Sequence, residues 1–190
     1  MSGNVGAGAG AVVGKLFGLN RAMKGGIGHA LVRVGPWQVG AMVACNAVGD
    51  VSDPLTGQVL AGARTADGTK LLNTQQALLA GQSAAAPMAG TNTTIGVVAT
   101  NATLNKAQAK RLAMSAHDGF ARSIRPAHTT LDGDTLFAMA TCAETSPADM
   151  MLLTVMAAEA TAQATVNAIL FANGVHSLKG YLPAALELHP

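Results

Sequence analysis

The chain has 190 residues, of which 49% are apolar, 12% charged and 3% aromatic, and its formal net charge is +2 at pH 7. This length and apolar content predict one domain with a sizeable core. The few, scattered lysines and arginines argue against a nucleic-acid-binding surface, and the shortage of aromatic rings argues against platforms for base stacking. So few charges in an alanine-rich chain predict burial against other subunits, as in a homo-oligomer such as a tetramer.

The sequence predicts neither a signal peptide nor a membrane-spanning segment. No basic stretch followed by an apolar core opens the chain, so we expect no signal peptide. The most apolar segment, residues 150–175, is interrupted by Glu159, Gln163 and Asn167, which predicts a helix with a solvated polar stripe. Cys45 and Cys142 lie in strand-like contexts and predict small, buried thiols, which fits a reducing, cytoplasmic compartment.

A glycine-rich segment covers residues 3–28. Gly8, Gly10 and Gly14 have a spacing close to a dinucleotide-binding fingerprint, but no strand precedes them and the third glycine falls one position late. The segment therefore predicts a tight loop whose main chain approaches another part of the molecule. We expect no cofactor here.

Residues 29–34 and 38–48 alternate apolar with small or polar side chains around Gly35 and Pro36, which predicts a β-hairpin. Asn46 lies at the end of its second arm. An asparagine in this position is usually a turn former, although a buried side-chain amide must also find an acceptor.

Residues 52–90 are rich in glycine and proline and end in the low-complexity stretch 81–87, which predicts a mobile linker. A β-branched run follows and predicts a buried strand over residues 93–100. Thr93 lies at its entrance. Such a threonine is either an ordinary strand residue or a nucleophile that becomes active once the preceding peptide bond is cut.

The second half of the chain predicts two helices and a strand. Asn105 and Gln108 form a capping pattern for a helix of about five turns. The turn 132–134 leads into a strand over residues 135–142, and Ser146, followed by proline, predicts a helix that extends to about residue 174. Sheet segments in the middle with helices outside predict an α+β fold, an α/β/β/α sandwich.

Several segments together resemble one known family. They are residues 3–8, 24–28, 39–50, 61–64, 92–102, 132–137 and 173–183. Their order and spacing are similar to those of the self-cleaving L-aminopeptidase/D-esterase and β-aminopeptidase family, which is related in fold to ornithine acetyltransferase and to the N-terminal-nucleophile (Ntn) hydrolases. The resemblance covers essentially the whole chain and matches the family's C-terminal part, so we expect the family's N-terminal part to be lacking here.

The resemblance implies a division of the chain and a set of site residues. Residues 1–92, with the linker 81–92, correspond to the end of an α-subunit-like segment, and residues 93–190 to a β-subunit-like segment of the same incomplete domain. Thr93 matches the nucleophile, released by cleavage between Asn92 and Thr93. Asn46 matches the asparagine that helps to form the oxyanion hole.

Asp132 and Asp134 flank a glycine, so both carboxylates could point into one pocket and pair with an ammonium group of the substrate or of Thr93. The better-known members of the resembled family have serine at the position of Asp132, which favours Asp134. The alternative for the pair is an Asx-type turn. The implied substrate is a peptide or aminoacyl amide with a free amine.

The histidines give no sign of a metal site. His117 and His128 are predicted to be structural, and the five histidines show no i, i+4 pair. Two alternatives to the aminopeptidase stay open from the sequence: an acyltransferase similar to ornithine acetyltransferase, and an inactive, truncated assembly module.

Overall fold

A mixed four-stranded sheet with two long helices on one face organises this computed structural model, which describes residues 1–85, 92–177 and 180–188. The strands are β1 (Val12–Val13), β2 (Met23–Lys24), β3 (Gly26–Val34), β4 (Trp37–Cys45), β5 (Asp50–Ser52), β6 (Val59–Ala61), β7 (Ile95–Ala102), β8 (Ile124–Arg125), β9 (Thr135–Glu144), β10 (Val175–Ser177) and β11 (Gly180–Leu182). The helices are α1 (Thr74–Leu79), α2 (Lys106–Ser123), α3 (Met150–Leu170) and α4 (Ala185–Leu188).

The strand order in the main sheet is β3-β4-β7-β9. β3 and β4 form the predicted hairpin, which turns at Gly35 with φ +55°, and β7 pairs antiparallel with β4. β9 is parallel to β7, because α2 carries the chain back across the sheet. The smaller sheet β6-β5-β8 continues from the end of the hairpin.

The core lies between the main sheet and the helices. α2 begins at the predicted capping box of Asn105 and Gln108 and buries Leu112, Ala116 and Phe120 on one face. α3 lies unusually close to β3, because a Cβ atom at Gly28 would come within 2.1 Å of the Ala164 carbonyl oxygen. The alanine-rich face of α3 therefore packs almost directly against the main chain of the hairpin.

The opposite face of the sheet is exposed, and we call it the open face. It carries Met42, Val97, Phe137 and Met139, which occupy alternate positions on β4, β7 and β9. Three of them have large exposed fractions: 47% for Met42, 57% for Phe137 and 57% for Met139. The chain thus contributes one helical layer and one main sheet layer.

The prediction for the start of α3 is wrong. The helix begins at Met150, and Asp149 caps it by accepting the main-chain N–H of Leu152. Ser146 instead directs its N–H and hydroxyl to Glu144 Oε1, at 2.8 and 2.6 Å, so it closes the turn after β9. Ser146 therefore donates to a nearby carboxylate and does not cap the helix, although the proline that follows it is typical of a first helical position.

The prediction of a mobile linker from residue 52 onward is also wrong for residues 52–79. β6 and α1 lie within it, and the buried carboxylate of Asp50 ties them together. Asp50 accepts from the main-chain N–H of Ala63 at 2.8 Å and from both the N–H and the hydroxyl of Thr74 at 2.6 Å. Residues 86–91 of the predicted linker lie outside the described residues.

The two cysteines differ. Cys45 is buried as predicted, whereas Cys142 is exposed and has φ +57°, which corrects the prediction that both thiols are buried. Cys142 lies where the pairing between β7 and β9 shifts register, and this irregularity turns its side chain away from the core. In the ranges that the structure describes, no helix is long and apolar enough to cross a membrane.

Candidate active site

The Asn92–Thr93 peptide bond lies just ahead of β7 with its carbonyl group in a polar cluster. The Thr93 hydroxyl donates to the Asn92 carbonyl oxygen at 2.7 Å, and the main-chain N–H of Gly133 donates to the same oxygen at 2.9 Å. The Thr93 N–H donates to the Asn46 carbonyl oxygen at 3.2 Å. The hydroxyl, the carbonyl and the peptide nitrogen of the predicted cleavage site are therefore each held by a hydrogen bond.

Asn92 itself is only 1% exposed. Neither Oδ1 nor Nδ2 of its side chain has a hydrogen-bond partner among the described residues. The residue that precedes the predicted nucleophile is thus held by its main chain and by packing.

Asn46 follows β4 and is fixed by the glycine-rich segment. Its side-chain oxygen accepts from the main-chain N–H of Val12 at 3.0 Å and from Lys15 Nζ at 2.9 Å. Because both partners are donors, they identify this atom as the oxygen and so set the direction of the amide NH2 group. The predicted close approach of the glycine-rich main chain is made here.

Lys15 is the site residue that the sequence reasoning missed. Its ammonium group donates to both the carbonyl oxygen and the side-chain oxygen of Asn46, at 2.8 and 2.9 Å, and the side chain is 6% exposed. Burial lowers its pKa to about 8, although Cys45, Asp132 and Asp134 act in the opposite direction. The available signal was a single lysine inside the apolar run of residues 11–17.

Asp134 lies beside the junction, before β9. Its Oδ1 accepts the main-chain N–H of Thr94 at 2.8 Å, while the buried Oδ2 has no hydrogen-bond partner within the described ranges. Burial raises the pKa of this carboxyl group and the nearby Asp132 adds to the effect, whereas the Thr94 N–H opposes it. Asp134 therefore has one carboxylate oxygen anchored and one available within the cluster.

Asp132 is engaged in holding the loop. Its Oδ1 accepts the N–H of Val48 at 3.3 Å, and its Oδ2 accepts the N–H and the hydroxyl of Thr129 at 3.2 and 2.8 Å. The structure thus gives the two aspartates different partners, with Asp134 directly bonded to the residue after Thr93.

Three further ionisable side chains lie in this region: Cys45, His117 and His128. Burial raises the pKa of the Cys45 thiol to about 12, so this neighbour of Asn46 is a neutral thiol at physiological pH. His117 and His128 contact each other, with Nδ1 and Nε2 3.0 Å apart. Within the described residues, no three His, Cys, Asp or Glu side chains are grouped to bind a metal ion.

The chain is similar in sequence to proteins from several bacteria. It is 49% identical over 142 residues to an uncharacterised aminopeptidase of Mycobacterium leprae (strain TN), a match covering 73% of this chain and 37% of that protein. It is 34% identical over 142 residues to the 6-aminohexanoate-oligomer endohydrolase of Kocuria sp. (strain KY2), covering 73% of this chain and 39% of the relative.

Solved structures show the same fold. The β-aminopeptidase of Burkholderia sp. superposes with a TM-score of 0.61 at 24% identity, covering 98% of this chain and 52% of that one. The L-aminopeptidase D-Ala-esterase/amidase of Ochrobactrum anthropi, described as a variant of the Ntn hydrolase fold, gives a TM-score of 0.63 at 22% identity, covering 96% and 49%.

These neighbours define the class: an α+β, Ntn-hydrolase-like α/β/β/α sandwich, of which this chain forms a part. The model of peptidase family S58 matches residues 1–182, and the chain belongs to this family. It spans about half the length of the solved structures and under two fifths of the curated relatives named above.

Proposed function

We propose that this chain is the catalytic part of a self-processing aminopeptidase that uses Thr93 as its nucleophile after cleavage between Asn92 and Thr93. The observation that carries the proposal is the 2.7 Å hydrogen bond from the Thr93 hydroxyl to the carbonyl oxygen of the bond to be cut. A hydroxyl that lies against its own preceding carbonyl is close to the arrangement that an N-to-O acyl shift requires. The family and the name of the Mycobacterium leprae relative support the aminopeptidase activity.

In the proposed reaction the Thr93 oxygen attacks the Asn92 carbonyl carbon, and the carbon–nitrogen bond breaks. The hydroxyl proton is transferred to the departing nitrogen, which leaves an ester and a free amine. Water then hydrolyses the ester to the Asn92 carboxylate and restores the hydroxyl. The new α-amino group, whose usual pKa lies near 8, then acts as general base for the Thr93 hydroxyl when a substrate binds.

For substrate hydrolysis we assign Asn46 to the oxyanion and Asp134 to an ammonium group. The fixed side-chain oxygen of Asn46 sets the direction of its NH2 donors, and such a preorganised donor stabilises a tetrahedral oxyanion by a factor of about a hundred or more in rate. The buried Oδ2 of Asp134 is the acceptor for the ammonium group of the substrate or of Thr93. Asp132 supports the loop that carries Asp134. The substrate would thus be a peptide or aminoacyl amide with a free amine.

The cellular setting is part of the same proposal. Two unpaired cysteines, one of them exposed, fit a cytoplasmic enzyme. A homo-oligomer such as a tetramer is the state that we propose, because only 12% of the residues of this alanine-rich chain are charged.

The test is an intact-mass spectrum of the purified chain beside two variants. We expect two fragments that divide between Asn92 and Thr93 in the parent chain and in Thr93→Ser, which keeps the hydroxyl, and one uncut mass in Thr93→Ala. Release of p-nitroaniline from aminoacyl p-nitroanilides should accompany cleavage. Uncut parent chain would favour the inactive assembly module, and acetyl transfer from acetylornithine without amide hydrolysis would favour the acyltransferase.

A further inference from the structure

The carbonyl oxygen of Asn92 has a second donor that the proposed chemistry leaves without a role. We propose that the main-chain N–H of Gly133 stabilises the oxyanion formed during self-cleavage. The inference rests on the proposed function and deepens it. Its basis is the 2.9 Å hydrogen bond from Gly133 N to the Asn92 oxygen, the atom on which negative charge develops.

The electron movements of the acyl shift explain why this donor matters. As the Thr93 oxygen bonds to the Asn92 carbon, the carbonyl π electrons move to the Asn92 oxygen, and they return when the bond to nitrogen breaks. The Thr93 hydroxyl, which donates to the same oxygen at 2.7 Å, must give up its proton in this step and so loses that bond. The Gly133 N–H keeps its proton throughout, and its bond strengthens as the charge grows.

The peptide group of Gly133 is fixed from both sides. Asp132 is held by Val48 and Thr129, while Asp134 holds the Thr94 N–H and the Thr135 N–H donates to the Thr94 carbonyl oxygen at 3.0 Å. A donor held in this way needs no reorganisation when charge develops, which is the property that gives oxyanion holes their effect.

The identity of residue 133 agrees with this role. A Cβ atom at Gly133 would lie 2.8 Å from the Thr93 hydroxyl oxygen and 3.7 Å from the Asn92 carbonyl oxygen. Only glycine allows the main chain to approach the junction this closely without displacing the nucleophile.

Asn46 also contacts the junction before cleavage. Its main-chain oxygen accepts the N–H of Thr93, the nitrogen that leaves. Its side-chain oxygen is bound by Val12 and Lys15. In the uncut chain the Gly133 N–H therefore binds the carbonyl oxygen of the bond to be cut, while Asn46 holds the nitrogen of that bond.

The decisive variant replaces the Gly133 N–H by an ester oxygen, by incorporating glycolic acid at position 133 in the full chain. We expect the rate of self-cleavage, followed by intact mass after synthesis, to fall by about a hundredfold or more. The matched control carries glycolic acid at position 57. The N–H of Gly57 donates to the main-chain carbonyl oxygen of Asp53 at 2.8 Å, in the turn between β5 and β6. It should be cut at the parent rate.

A second measurement does not depend on the folding of the ester variant. In the Thr93→Ala chain, which should stay uncut, the hydrogen bond should give a scalar coupling between the Gly133 nitrogen and the Asn92 carbonyl carbon. Absence of this coupling, or cleavage of the position-133 ester within about threefold of the parent rate, would overturn the inference. Those results leave the proposed function standing, whereas a parent chain that stays uncut overturns both.

Discussion

Lys15 places an ammonium group where little water reaches it, next to the residue that we assign to substrate hydrolysis. It donates to two oxygen atoms of Asn46, and Asp132 and Asp134 lie close enough to raise its pKa against the effect of burial. Burying an ammonium group is unfavourable unless it is hydrogen-bonded or paired with an opposite charge. Here the hydrogen-bond partner is Asn46, whose orientation depends on the two hydrogen bonds.

We predict that Lys15→Met, which keeps the length and packing of the side chain, slows both self-cleavage and amide hydrolysis about tenfold or more. The reason is that Asn46 loses a charged donor at each of two oxygens, a loss on the order of 1–3 kcal/mol. Initial rates of fragment formation and of p-nitroaniline release measure the effect. Lys70→Met, at an exposed lysine, is the control and should match the parent. Equal rates in the two variants would contradict a positioning role for Lys15.

The lowered pKa of Lys15 predicts that the free energy of unfolding depends on pH, and Lys15→Met tests this prediction. The pKa of Lys15 is about 8 in the folded chain and 10.5 when unperturbed, so between these values the unfolded chain binds more protons. The free energy of unfolding of the parent should therefore rise through this interval, and the contribution from Lys15 should be absent in Lys15→Met. With both chains kept uncut by Thr93→Ala, urea unfolding at pH 7 and pH 10 should show a larger deficit for the variant at pH 10. Lys24 titrates in both chains and its pKa is lowered by burial alone, so its contribution cancels in the difference.

How far the sequence predicts the site depends on which atoms form it. Thr93, Asn46 and Asp134 could be named because the family resemblance involves their side chains. The donor at Gly133 is a main-chain N–H, which every residue except proline has, so no residue pattern indicates it. Lys15 was visible as a charge in an apolar run, but its partner lies 31 positions away and only the fold brings them together.

At the scale of elements, the contact between α3 and β3 depends on the absence of a side chain. We predict that Gly28→Ala destabilises the chain by about 1–3 kcal/mol, because the new Cβ atom would lie 2.1 Å from the Ala164 oxygen and 2.2 Å from the Ala168 nitrogen, both main-chain atoms of α3. Gly40→Ala is the matched control on β4, where the nearest atom to a Cβ is 3.6 Å away. Urea unfolding of both variants measures the difference, and similar midpoints would contradict the close packing.

The sequence predicted well those elements that nearby residues specify without competition from distant side chains. The hairpin and α2 agree with their patterns, since alternation around Gly35 and the Asn105 capping box each specify a local structure without competition. The start of α3 and the linker were wrong because side chains found partners that the pattern did not show. Glu144 bound Ser146, and Asp50 bound Thr74 across 24 positions.

At the scale of the whole molecule, we expect the open face to pack against another part of the family fold. Met42, Phe137 and Met139 each expose about half of their surface there, and a group of exposed large apolar side chains marks a surface on which another part of a protein packs. The solved neighbours are about twice as long as this chain, and their fold is a sandwich. We therefore expect the half of the family fold that this chain does not span to pack on Met42, Val97, Phe137 and Met139.

This expectation predicts complex formation between the chain and the segment of the Mycobacterium leprae relative that corresponds to the half of the fold outside this chain, when the two are produced together. Replacing Phe137 and Met139 by lysine should abolish the complex, because two buried charges would have no partners in the interface. Met114→Lys is the control, since Met114 is 53% exposed but lies on α2, on the other side of the sheet. Sedimentation velocity measures the complex, and unfolding midpoints check that each variant folds. If the double variant still forms the complex as the control does, the half of the fold outside this chain does not pack on the open face.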